Sequence, residues 1–170
     1  CVGYQISGKG FLLDASECAQ LVAASSHAEK IIKPLLTGND INQKPRALMA
    51  IDLFGLSEAD VRNQYSPIYQ WIYDRVKPER DQNSDSASNK FWWLFARTRS
   101  DFRPALNNLK SATVCSLTSK HRFFVQVPAT TICDSTTVMF ALSDSWQVGI
   151  LASRLHIVWT LNSGGTLEDR

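Results

Sequence analysis

Cysteine is scarce in this sequence and poorly placed for chemistry. The four cysteines, at positions 1, 18, 115 and 133, include no Cys-x-x-Cys pair, and the three histidines (27, 121 and 156) lie far from them along the chain. That spacing gives little support to a zinc site. A disulfide framework suits a chain of 170 residues no better, so reduced and mostly buried thiols are expected. No apolar run approaches the roughly 18 residues that span a bilayer. The start, Cys1-Val2-Gly3-Tyr4, carries neither Met nor a signal-peptide pattern. The expectation is a cytoplasmic protein without a membrane partner, and a piece of a longer chain.

Nucleotide and hydrolase motifs are missing too. The sequence has no Gly-x-Gly-x-x-Gly, no Walker loop and no Gly-x-Ser-x-Gly elbow. Gly8-Lys9-Gly10 is too short for a phosphate loop and lacks a following Ser or Thr. Metal-dependent nucleases need clustered carboxylates, and the nearest match, Glu29-Lys30, has the wrong spacing. His121, between Lys120 and Arg122, is a poor catalytic acid. His156 sits among apolar residues as a structural histidine would. No catalytic residue and no metal ligand is assigned, and an enzyme acting alone is disfavoured.

What is present describes a globular domain with one unusual segment. Hydrophobic residues make up 44% and charged residues 20%, enough apolar surface for a single core. The net charge of +2 hides a concentration: from Lys90 to Arg122, the seven cations Lys90, Arg97, Arg99, Arg103, Lys110, Lys120 and Arg122 face only Asp101. Such a stretch is the footprint of a polyanion partner, or else a solvated basic face.

The periodicities predict alternating short elements. Gly3 to Leu13 reads as a hairpin turning at Ser7-Gly8-Lys9-Gly10. Asp14 with Glu17 is a capping box for a helix over about 15–25. The segment around Pro34 is extended or irregular, and Thr37-Gly38-Asn39-Asp40 is turn chemistry. Ala47 to Phe54 suits a buried strand. Ser57 and Asp60 cap a helix near 58–65, and Pro67 opens another, in which Ile68, Ile72 and Val76 share a face until Lys77-Pro78. Asp81 to Asn89 reads as an exposed, mobile loop. Phe91-Trp92-Trp93-Leu94-Phe95 is the strongest strand signal, with core packing expected of Trp92, Trp93 and Phe95 rather than base stacking. Ser100 caps a short helix. Strands follow near 112–117, 122–127 and 136–142. Ser143 or Asp144 then caps one long final helix ended by Gly164-Gly165. The fold class is α+β: a mixed, mostly antiparallel sheet with several peripheral helices in one compact domain, residues 1–170.

Several segments together resemble the target-recognition region of large adenine-N6 DNA methyltransferases, among them type IIG restriction–modification enzymes and phage-defence methyltransferases. They run in the family's order: residues 33–41 (KPLLTGNDI), 51–55 (IDLFG), 76–81 (VKPERD), 91–93 (FWW), 119–123 (SKHRF), and 149–154 (GILASR) with His156 and Trp159. The resemblance implies a sequence-specific DNA recognition module, with double-stranded DNA and the parent's own methyltransferase domain as partners. In such proteins S-adenosylmethionine and the Asn-Pro-Pro-Tyr-type motif belong to a separate catalytic domain. This chain has Asn42-Gln43-Lys44-Pro45 but no Asn-Pro-Pro, so it is expected to bind no cofactor and to be non-catalytic by itself.

Base flipping lets a methyltransferase pocket read only the flipped base, so sequence choice must come from another surface. The expected phosphate contacts are Lys120 and Arg122, helped by His121, then Lys44, Arg46, Arg97 and Arg99. For base reading the resemblance points to Thr166, Glu168 and Arg170. A second strip is Ser135, Thr136 and Thr137. The rival expectation is a protein-interaction or structural module whose basic stretch docks an acidic chain; clustered carboxylates around a cleft would instead revive a nuclease.

Overall fold

The computed structural model describes residues 1–82, 89–119, 121 and 123–163. Two sheets organise them. The first has the order β1-β3-β2-β6, built from β1 (Leu12–Leu13), β2 (Ile32–Leu36), β3 (Met49–Ile51) and β6 (Ile132–Cys133). Its neighbours are antiparallel except β2 and β6. The second is wholly antiparallel, with β4 (Ser111–Ser116) between β5 (Val125–Pro128) and β7 (Thr137–Phe140). The α+β class and the mostly antiparallel pairing are as expected, in two sheets rather than one.

Pro34 is tolerated inside β2 because of its register. It stands opposite Met49 of β3, while pairing to β6 begins only at Leu35. On its other side the strand is still an edge, where a missing N–H breaks no ladder.

Helices cover the first sheet. They are α1 (Ala15–Ala24), α3 (Glu58–Gln64), α4 (Ser66–Arg75) and α5 (Lys77–Asp81). The two capping boxes, Asp14 with Glu17 and Ser57 with Asp60, start α1 and α3 as the spacing requires. Ile68, Ile72 and Val76 are wholly buried, with Phe11, Leu13, Ile51 and Val61. A buried side chain of this size contributes about 1.5–3 kcal/mol, so this layer anchors the domain. At the other end, α7 (Ser145–Leu151) and α8 (Arg154–Ser163) bury no residue completely.

Five local expectations are corrected. Gly3 to Leu13 is not a hairpin: its strand-like residues bond to distant chain, Gly3 N to Thr137 O at 2.9 Å and Tyr4 N to Cys133 O at 2.8 Å, and Lys9–Phe11 forms a 3-10 turn. Phe91–Phe95 is turn, not strand. Trp92 and Trp93 are adjacent yet both buried, which an alternating strand does not allow against one core. Their aromatic weight does go into the core, and Trp93 Nε1 donates to Leu56 O at 3.0 Å. Thr37 to Asp40 is more than a turn: Thr37 caps a short helix, α2 (Gly38–Asn42). The final helix is two, because Ser153 Oγ accepts from His156 N at 3.2 Å and starts α8 afresh. The short helix after Ser100, α6 (Arg103–Leu106), has no side-chain cap. Of the expected loop, residues 83–88 lie outside the described residues, as do Gly164 and Gly165.

Candidate nucleic-acid interface

Between β6 and β7 the chain crosses from one sheet to the other through Asp134, Ser135 and Thr136. Three other segments meet this crossing: the N-terminal strip around Gln5 to Lys9, the turn that opens α2, and the end of β4 at Ser116 and Thr118. Together with Leu12, Leu35 and Leu48 they line an open groove of about 630 Å³, in which polar side chains alternate with apolar ones.

Local chemistry fixes the α2 wall. The Asp40 side chain, 4% exposed, accepts from Thr37 N at 2.9 Å and from the Thr37 hydroxyl at 2.7 Å. Arg46 closes on it from the other side, with Nε to Oδ1 at 3.0 Å and its backbone N–H to the same oxygen at 3.1 Å. Arg46 Nη2 also donates to Thr37 Oγ1 at 2.9 Å. Burial pushes the Asp40 carboxyl up, but the hydrogen bonds from Arg46 and Thr37 outweigh it and hold the group at about 2. Asp40 thus stays ionised until strongly acidic pH, and Arg46 is fixed while its side chain stays 50% exposed.

The crossing is tied to the same wall. Thr136 Oγ1 accepts from Gly38 N at 2.7 Å and donates to Asp134 Oδ1, which also accepts from Thr136 N at 3.0 Å. A Cβ on Gly38 would stand 2.8 Å from Thr136 O, so only glycine allows this approach. Asn42 Nδ2 donates to Ser116 Oγ at 3.1 Å, joining α2 to β4.

The residues singled out from the sequence now separate. Arg46, Ser135 and Thr136 line the groove together. Lys44 is exposed close by in sequence, and Arg97 is exposed with its backbone bridged to Gln5. His121 is exposed on the β4–β5 connection, its ring 5.9 Å from that of Phe123. Arg99 does not join the groove: its Nε donates to Gly3 O at 3.0 Å and braces the N-terminal strip. Thr137 departs from the expected strip, since it is wholly buried with its hydroxyl donating to Asp134 O at 2.7 Å. It has no surface to offer a base. Lys120, Arg122, Thr166, Glu168 and Arg170 lie outside the described residues.

One cation of the basic stretch is turned inward. Arg103 makes paired bonds of 2.7 and 2.9 Å to the Asp52 carboxylate and lies between the Tyr4 and Phe54 rings, 4.7 and 4.3 Å from their centres. It holds the fold together rather than facing a polyanion.

Sequence reading missed Gln5, Lys9, Asn39, Asn42 and Thr118, which also line the groove. The one local signal near them, the Thr37-x-x-Asp40 spacing, reads as a turn in the sequence and proves to be the cap of α2. Among the described residues no group of three or more His, Cys, Asp or Glu is placed to hold a metal. No helix there is long and apolar enough to cross a membrane.

Residues 3–170 match the family model described as MmeI, target recognition domain. The fold matches a solved structure of the Type IIL restriction-modification enzyme MmeI in complex with DNA, with a TM-score of 0.78 and 19% identity. The match covers 99% of this chain and 22% of that one, so the chain spans under a quarter of that protein's length. At this identity the likeness is one of fold. No curated protein matches the chain.

Proposed function

The chain belongs to the MmeI target-recognition-domain family, and we propose that it is the DNA sequence-recognition module of a restriction–modification enzyme, one that methylates adenine at N6 with S-adenosylmethionine. The module itself carries out no chemical step. The cofactor and the flipped base belong to the parent's methyltransferase domain, its partner within the polypeptide. The observation that carries the reading is the groove. It gathers hydroxyl, amide, guanidinium and ammonium groups, the types that read base edges and hold phosphates, onto one surface.

In this reading Arg46, Lys44, Arg97 and His121 contact phosphates, as do Lys120 and Arg122, the sequence neighbours of His121. Ser135 and Thr136 face bases from the crossing, and Thr166, Glu168 and Arg170 do so from the C-terminal stretch. Exchanging Glu168 and Arg170, or Ser135, in the full-length protein is expected to change the methylated sequence at one or two positions. Methylation of the wild-type site by all these variants would sink the base-reading assignment.

A second contact is favoured by the far end of the domain. Trp146, Ile150, Leu155 and Trp159 stay exposed on α7 and α8. Such an apolar face suits another protein surface, here the parent's methyltransferase domain, better than it suits DNA.

A further inference from the structure

Resting on the DNA-recognition reading, we propose that Asn39 is an adenine-reading residue of this domain, a role that no sequence signal assigned to it. An asparagine amide presents a donor and an acceptor side by side, the complement of adenine N7 and N6 in the major groove. Three such amides line the groove, and the structure distinguishes them. Asn42 is engaged, its Nδ2 donating to Ser116 Oγ at 3.1 Å. Gln5 is exposed, but it is longer and rides on a strip whose backbone bonds to Arg97 are both 3.3 Å; more freedom is lost when it binds. Asn39 is exposed, and among the described residues its side-chain amide has no partner.

The frame beneath Asn39 is what a reader needs. Its neighbours on both sides are locked: Gly38 N by Thr136 Oγ1 at 2.7 Å, and Asp40 by Thr37 and Arg46. Its own carbonyl accepts from Gln43 N at 2.8 Å. A side chain with two rotatable bonds on such a support loses little freedom when it meets a base. Arg46 supplies the register: Nη1, which has no partner among the described residues, remains for a phosphate beside the base that Asn39 reads.

The test is a competition assay with the full-length protein on duplexes varied one base pair at a time. Wild type is expected to prefer A·T at one position, and Asn39→Ala to lose about ten- to a hundredfold of that discrimination there and nowhere else. Asn39→Asp keeps the acceptors and loses the donor, so it is expected to move the preference at that position toward cytosine. A merely structural residue would not produce that switch. Replacing the contacted adenine by 7-deazaadenine is expected to weaken wild type but not Asn39→Ala. The proposal is overturned if Asn39→Ala keeps every preference of wild type, or weakens all sequences equally as a phosphate contact would. If the wild-type protein shows no sequence preference at all, the DNA-recognition reading falls as well.

Discussion

Asp40 shows how much one carboxylate organises here. It completes the cap of α2, holds Arg46 at the groove, and leaves none of its charge unpaired. Asp40→Ala is therefore expected to cost roughly 1–3 kcal/mol, the loss of a cap plus stranded donors, as read by urea unfolding. The pH dependence follows from the direction of its shift. The folded carboxyl titrates at about 2, below the ordinary 3.8. Its stabilising contribution is complete above the unfolded value and is lost as pH falls from there toward 2. Asp40→Asn is expected to flatten that acid arm of the stability curve; an unchanged arm would mean that the bond to Arg46 contributes nothing. Cys133 offers a second check. Burial, then the Asp134 charge, pushes its thiol up to about 12, so it is expected to resist alkylation at pH 8 until the protein unfolds, while exposed Cys1 reacts. Labelling of Cys133 in the native state at the rate of Cys1 would contradict this burial. The Asp40 network was half legible. Thr37-x-x-Asp40 has the same spacing as Ser57-x-x-Asp60, but Gly38 and Asn39 inside it read as a turn, and Arg46 lies outside any local pattern.

Elements were legible where their stabilisation is local. The starts of α1 and α3 follow from capping boxes, and the apolar face of α4 from a repeat of four residues. They failed where distant chain decides. The aromatic run at 91–95 satisfies itself through α3-side and core partners such as Leu56 rather than through a ladder. The N-terminal strip bonds to β6 and β7. The break between α7 and α8 was hidden because apolar spacing continues through it, while Ser153 Oγ offers a new cap. Within α7, a Cβ added to Gly149 meets nothing within 4 Å. Gly149→Ala is therefore expected to raise stability by about 0.5–1 kcal/mol, read as a higher unfolding midpoint. A lower midpoint would mean that α7 is not helical at this position.

For the molecule as a whole, the class and the single domain were readable, but the groove was not. It is assembled from segments far apart in the chain, and no window of sequence contains two of its walls. The basic stretch is visible in the sequence as a count but not as a geometry: Arg103 turns inward to Asp52, and Arg99 braces Gly3. Packing at the crossing leaves little room. A Cβ on Gly3 would lie 2.0 Å from Asp134 O, so Gly3→Ala is expected to displace the turn that carries Ser135 and Thr136 and to lower both stability and sequence discrimination. A variant as stable and as selective as wild type would show that the crossing does not position the groove.

Whether this surface meets DNA is answered by a salt titration. Binding of the full-length protein to a mixed-sequence duplex is measured across a salt series, for wild type and for Lys44→Ala, Lys120→Ala and Arg122→Ala. Salt-sensitive binding is expected, weakened on all sequences by each substitution, with the log–log slope reduced by up to ~0.9 for each phosphate no longer neutralised. Absence of binding at low salt would contradict a DNA-binding role, and salt-sensitive binding that none of the three substitutions alters would contradict the assignment of these residues as phosphate contacts.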